Sequence, residues 1–288
     1  MRLFTRNRNI PQQMIGSLWI WISTTLSLIV ALPVVGLFRL LDKDPARYRA
    51  GLWFRRIGSL PTRLTPLWRI RVEGADLVTN PRNPYVVVSN HQSLVDIPVI
   101  SRLPWEMKWV AKKELFDLPL IGWLMKWAGD IAVDRSSKRS RAKVLIDAAA
   151  YLRVNCSVMF FPEGTRSEDG TLGEFNSGAF HLAIKEHLPI LPLVIDGTSN
   201  ALQKGSWRFN DPGPIYLKVL PPVSTEGLTK DDANDLTLRV RGMIDVQLRE
   251  WRGEPVQVAA AHAVDDTTGN SASGGMAANP GKSELSGA

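Results

Sequence analysis

His91 and Asp96, an imidazole and a carboxylate five residues apart, have the greatest chemical reach in this chain. They lie in the stretch Tyr85-Val-Val-Val-Ser-Asn-His-Gln-Ser-Leu-Val-Asp96. A histidine oriented by an acidic neighbour can take a proton from a hydroxyl and carry the charge that develops. On one continuous helix, positions five apart point about 140° away from each other. The two side chains meet only if His91 sits in a turn and Asp96 opens the next helix. Tyr85 to Ser89 is short, apolar and β-branched, the pattern of a buried strand that such a turn would leave. The imidazole then stands at a strand's carboxyl end, where open α/β sheets place their ligands. A plainer reading uses the same residues: Asp96 caps a helix running Ile97-Pro98-Val99, and His91 is a polar loop residue.

Two further apolar runs end in polar residues. One leads to Asp134-Arg135, the other to Pro162-Glu-Gly-Thr-Arg166. A glycine-containing turn beside an arginine suits a phosphate, whose oxygens backbone N–H groups and a guanidinium can bind together. Glu163 could instead pair with Arg166. Cys156, the lone cysteine, leads into the apolar run Ser157 to Phe161 and reads as a buried, inert thiol. It allows no disulfide within the chain, as in a reducing compartment. The four histidines and Cys156 show no zinc-site spacing, so no metal is expected.

The elements that must position these groups alternate. Arg69 to Glu73, Tyr85 to Ser89, Met107 to Ala111, Asp130 to Asp134, Ser157 to Phe161, Ile190 to Asp196 and Ile215 to Leu220 read as strands. Helices are expected from Asp96, over Lys112 to Ala128, over Ser137 to Val154, over Gly178 to Lys185, and from a capping box at Thr229-Lys-Asp-Asp232 to about Trp251. The pattern predicts a single α/β domain over residues 63–252, a mixed central sheet flanked by helices.

Before it, Met14 to Phe38 is an uncharged stretch of about 25 residues, enough to cross a bilayer. Arg2, Arg6 and Arg8 precede it, and Arg39, Lys43, Arg47, Arg49, Arg55 and Arg56 follow. Two arrangements fit: one span whose basic downstream flank keeps the main body cytoplasmic, or two short helices broken near Pro33 and dipping into one leaflet. Basic residues at both ends favour the second. Pro45 to Leu60 reads as a basic amphipathic helix at head-group level, completing an anchor over residues 1–62. Residues 253–288 are rich in Gly, Ala, Ser and Asn and read as a disordered tail. The net charge is +7, and this tail holds four acidic residues against one lysine, so the body is more basic than the whole. A basic body carrying most of the ten tryptophans suits an anionic lipid surface, and no nucleic-acid motif is present.

The motifs together resemble a known family. Asn90-His-Gln-Ser-Leu-Val-Asp96, Gly129-Asp-Ile-Ala-Val-Asp-Arg135, Phe161-Pro-Glu-Gly-Thr-Arg-Ser167 and Leu188-Pro-Ile-Leu-Pro-Leu-Val-Ile195 are similar to the four ordered blocks of the glycerolipid acyltransferases, above all the bacterial 1-acylglycerol-3-phosphate acyltransferases. Ala111-Lys-Lys-Glu-Leu115 fits the segment between the first two blocks. The resemblance covers roughly residues 69 to 220. It departs from the family where a Phe-Lys-x-Gly pattern often follows the third block; here the segment is Phe175-Asn-Ser-Gly178.

The resemblance implies an acyl transfer without a cofactor. His91, oriented by Asp96, would deprotonate the sn-2 hydroxyl of a lysophosphatidate, which attacks an acyl-CoA or acyl-carrier-protein thioester to give phosphatidate. Gly164, Thr165 and Arg166 would hold the acceptor phosphate. Glu163 would position the glycerol or the arginine, and Arg135 would assist with an anion. The implied setting is the cytoplasmic face of the inner membrane, with the phospholipid bilayer as partner. Another lysolipid acceptor, or a lipid-binding protein without catalysis, uses the same features.

Overall fold

The apolar runs pair with one another at the centre of the molecule. The computed structural model describes residues 10–211 and 213–255. Its strands are β1 (Arg69–Glu73), β2 (Val86–Ser89), β3 (Met107–Lys112), β4 (Ile131–Val133), β5 (Ser157–Phe160), β6 (Ile190–Asp196) and β7 (Pro214–Val219). They form one mixed seven-stranded sheet in the order β1-β7-β6-β2-β5-β3-β4. Every pairing is parallel except β6 with β7. The central strands β2 and β5 are buried at every residue, and their sequences are apolar runs without alternation. The outer strands β1 and β7 alternate.

The helices are α1 (Ile10–Leu41), α2 (Tyr48–Gly58), α3 (Leu60–Leu64), α4 (Asp96–Ile100), α5 (Ile121–Ala128), α6 (Lys138–Arg153), α7 (Gly178–Glu186), α8 (Thr198–Ala201) and α9 (Ala233–Arg252). Period-two geometry sends Val86 and Val88 of β2 into a core with Val144 of α6, Phe180 of α7 and Ile244 of α9. Val87 points the other way, to Ile20 of α1 and to Val99 and Ile100 of α4. Burying each such side chain contributes roughly 1.5–3 kcal/mol, so the two-sided core sets the register of β2. Because β2, β3, β4, β5 and β6 run the same way, their exits share one edge of the sheet.

Two sequence expectations need correction. The apolar N-terminal stretch is one helix running through Pro33, not a pair broken there. Proline removes a helix hydrogen bond at a cost of about 3 kcal/mol. Here Ala31 and Val35, fully buried against α2 and α5, hold the helix on both sides of it. Lys112 to Ala128, expected as a single helix, is a short 3-10 turn over Lys113–Asp117 and then α5. Pro119 disfavours helix at Leu118, and Leu120 turns to φ 62°.

Gln13–Leu41 is long and apolar enough to cross a bilayer. Yet one stripe of α1 is packed on the domain along its length: Ser17, Ile20, Ser23, Ser27, Ala31 and Val35 are buried at helical spacing. Phe209 N–H donates to Ser17 Oγ at 2.9 Å, and Trp21 Nε1–H donates to the Trp207 carbonyl at 2.9 Å. Trp19, Ile22, Leu26 and Val30 lie exposed on the opposite stripe. α2 is amphipathic as expected, but Arg55 turns inward and is buried. The expected tail lies outside the described residues beyond position 255.

Candidate active site

The β2 exit builds the centre of the site. Asn90 extends the β2–β6 pairing with its side chain: Nδ2–H donates to the Ile195 carbonyl at 2.8 Å, and Ile195 N–H donates to Oδ1 at 3.0 Å. This anchors the turn in which His91 stands. Asp96 is the first residue of α4, and its fully buried carboxylate reaches back across the turn. Its Oδ2 accepts from Gln92 N–H at 2.7 Å, Ser93 N–H at 2.9 Å and His91 Nδ1 at 2.7 Å. Oδ1 accepts from the Thr198 hydroxyl of α8. Four donors converge on one carboxylate, which acts as an acceptor throughout. Asp96 is thus no simple helix cap: it folds the turn and sets the imidazole tautomer with the proton on Nδ1. Nε2 is left as the basic nitrogen. The ring stacks on Phe161, with centroids 3.9 Å apart and planes 17° from parallel.

The β5 exit supplies the second part. Gly164 N–H donates to the Phe161 carbonyl at 3.0 Å, closing a four-residue turn. Gly164 adopts φ +72°, a conformation that side chains resist, although a Cβ there would meet nothing closer than 3.6 Å. The turn is tied to His91 by two bonds. Glu163 Oε1 accepts from His91 N–H at 2.7 Å, and Ser167 N–H donates to the His91 carbonyl at 2.9 Å. Glu163 Oε2 accepts from Gly173 N–H at 3.0 Å. Both of its oxygens therefore brace the loop, and burial pushes its carboxyl above the usual range. The resemblance implies that Glu163 positions the glycerol or Arg166; in the structure its carboxylate holds the His91 N–H and also lines the adjoining cleft.

Arg166 follows on the same loop, half-buried, and Thr165 is exposed. Arg135, after β4, lies at the same edge two strands from β5, roughly 10 Å along the sheet. Burial pushes the Arg135 guanidinium below its usual value, opposed by the Glu114 carboxylate and aided by the Arg166 charge. Neither guanidinium has a hydrogen-bonded or ion-paired partner among the described residues. Two guanidiniums at one edge of the sheet, neither bonded to a carboxylate although the Glu114 charge acts on Arg135, suit an anion. An open cleft of about 480 Å³ adjoins the loop, but Glu163, Glu168, Asp169 and Glu174 line it, so an anion belongs on the arginine side. Asn176, where the resembled family often has lysine, donates its side-chain N–H to the Pro162 carbonyl at 2.8 Å and helps close the loop.

The structure thus brings together His91, Asp96, Glu163, Gly164 and Arg166, with Arg135 at the rim. Sequence reasoning missed Thr198, which lies 102 positions from Asp96. Its only signal was that β6 must exit at the same edge. Cys156 is fully buried, and burial pushes its thiol up to about 12, so it is no nucleophile near neutral pH.

A model of the family described as Acyltransferase matches residues 69–196. The chain is 40% identical over 184 residues to mouse 1-acyl-sn-glycerol-3-phosphate acyltransferase alpha, covering 63% of this chain and 64% of that one. It is 35% identical over 191 residues to the Saccharomyces cerevisiae 1-acyl-sn-glycerol-3-phosphate acyltransferase, covering 65% and 60%. It is 32% identical over 195 residues to the Arabidopsis thaliana chloroplast enzyme LPAT1, covering 68% and 54%. The chain therefore spans less than two thirds of the length of each of these relatives. The crystal structure of the 1-acyl-sn-glycerophosphate acyltransferase PlsC from Thermotoga maritima superposes with a TM-score of 0.71 at 24% identity, over 85% of this chain and 98% of that one, and shows a common fold.

Proposed function

We propose, for a chain whose residues 69–196 form an acyltransferase-family domain, that it moves a fatty acyl group from a CoA or carrier-protein thioester to the sn-2 hydroxyl of 1-acylglycerol-3-phosphate, giving phosphatidate. The observation that carries this reading is the His91 ring, held at Nδ1 by Asp96 and tied through both backbone groups to the Gly164–Arg166 loop.

The chemistry follows from the geometry. Nε2 accepts the hydroxyl proton as the oxygen attacks the thioester carbonyl. The tetrahedral intermediate collapses and expels the thiolate, which takes the proton back from Nε2. Asp96 stabilises the imidazolium between these steps. Arg166, with Thr165 and the open turn at Gly164, holds the acceptor phosphate, and Arg135 adds positive potential. The acceptor hydroxyl is itself the nucleophile, so no acyl-enzyme forms. The test is thiol release by purified protein across a panel of lysolipid acceptors. Release with lysophosphatidate supports the reading. Release only with a different lysolipid would keep the chemistry and replace the acceptor, an outcome that Asn176 makes worth measuring.

Arg166→Ala is expected to raise the KM for lysophosphatidate by roughly 10- to 100-fold, the loss of a charge-assisted contact. The KM for the thioester should change little. A selective thioester defect would assign the arginine to the donor.

The packing of α1 along the domain favours a helix lying in one leaflet over a span, because a spanning helix would draw polar domain surface into hydrocarbon. The proposed site is the cytoplasmic face of the inner membrane. Single cysteines at Asn7 and Glu254, in a Cys156→Ser background, should both react with an impermeant maleimide from the same side. Labelling from opposite sides would establish a span.

A further inference from the structure

The matched family region ends at residue 196, but the last helix reaches back into the site. α9 buries Val240, Ile244 and Leu248 in the core, so its axis is set independently of its polar face. Two arginines leave it for the same loop. Arg241 Nε–H donates to the Gly173 carbonyl at 2.8 Å and its Nη2 to the Leu172 carbonyl at 2.9 Å. Arg252 Nη2 donates to the Gly170 carbonyl at 2.9 Å and to Asp196 Oδ1 at 2.8 Å, while its Nε–H reaches Asp196 Oδ2 at 3.2 Å. Positions eleven apart return to within about 20° on a helix, so both arginines project from one face, about 16 Å apart along the axis.

Each contact continues to His91. Gly173 N–H holds Glu163, and Glu163 holds the His91 N–H. Asp196 Oδ1 also accepts from Gln92 Nε2–H at 3.1 Å, on the residue next to His91.

We propose that Arg241 and Arg252 are positioning residues: together they clamp the 170–173 segment and, through Glu163 and through Asp196–Gln92, hold the His91 backbone in register with the Arg166 loop. This rests on the acyl transfer proposed above. The guanidinium suits the task because its planar set of donors can bind several acceptors at once. Reacting groups tolerate little misplacement: a shift of about 1 Å can cost roughly 100-fold in rate.

The test uses the full chain in detergent and the variants Arg241→Ala and Arg252→Ala. Arg249→Ala serves as control, since that arginine pairs with Asp245 on α9 and does not touch the loop. Amide hydrogen exchange should quicken over residues 163–173 and at 91–93 in both test variants and stay at the wild-type rate in the control. With lysophosphatidate, kcat should fall roughly 10- to 100-fold while the thioester KM moves by less than about twofold. If Arg241→Ala does not fold, Arg241→Lys replaces it, keeping the charge and a single donor group. Unchanged exchange in the loop would overturn the proposal, as would a loosened loop with undiminished kcat. If the wild-type chain does not acylate lysophosphatidate, the functional reading falls, and the exchange data still decide whether α9 clamps the loop.

Discussion

Replacing His91 with alanine is expected to reduce acyl transfer to background, a loss of roughly 10²- to 10⁴-fold, while the protein stays folded and membrane-bound. The loss follows from what surrounds the ring. Nδ1 is engaged by Asp96 at 2.7 Å, one face rests on Phe161, and Nε2 is the basic atom left to meet a hydroxyl. Among the described residues no second histidine adjoins it: His181 and His187 lie on or just after α7, on the far core face of the sheet. Folding should survive, because Asp96 keeps three of its four donors, from Gln92, Ser93 and Thr198, when the imidazole is gone. Thiol release measured beside vesicle co-sedimentation separates the two roles. Wild-type turnover by His91→Ala would remove the proposed mechanism, and loss of vesicle binding would show that the residue matters to the fold.

The largest expected effect on stability lies away from the site. Lys108 of β3 is wholly buried, with Nζ 2.9 Å from Glu106 Oε1 and 2.7 Å from the Ala128 carbonyl. Arg55 of α2 reaches the same pocket, pairing with Asp130 and lying 3.9 Å from Glu106. α2 can sit this close because Gly51 carries no side chain: a Cβ there would lie 1.9 Å from Glu106 Oε1. Two cations and two carboxylates thus join the N-terminal helices to the sheet. Removing one member strands a buried charge, which typically costs 3–5 kcal/mol, whereas exchanging a pair for apolar groups of similar size is often neutral. Lys108→Ala should therefore lower the unfolding free energy by about 3–5 kcal/mol, and Glu106→Leu with Lys108→Met should recover most of it. Burial already pushes the Glu106 carboxyl above the usual range, against the pull of Lys108. Without the lysine it rises further, so the folded variant takes up a proton that the unfolded chain lacks. Stability is then lost as pH rises through that window, and the deficit should shrink as pH falls. Denaturant melts across pH test both claims; a single-variant cost below about 1 kcal/mol would show that the cluster does not hold α2.

Much of this was legible in the residues because it is local. Strand runs, the helix that begins at Ser137, the Thr229–Asp232 capping box and the turn that lets His91 meet Asp96 all depend on neighbours within a few positions. So does the glycine at 164, which its φ requires. Residue order is enough to specify these elements and the contact between His91 and Asp96. How they are held depends on packing between distant parts of the chain. Pro33 stays helical because α2 and α5 pack around it, and Arg55 turns from a lipid-facing surface to a buried ion cluster. Glu163 serves the backbone of His91, 72 positions away, and Arg252 reaches Gly170 across 82. Residue type and spacing carry no signal for such contacts, since they form only when burial of both sheet faces brings distant strand ends and α9 to one edge.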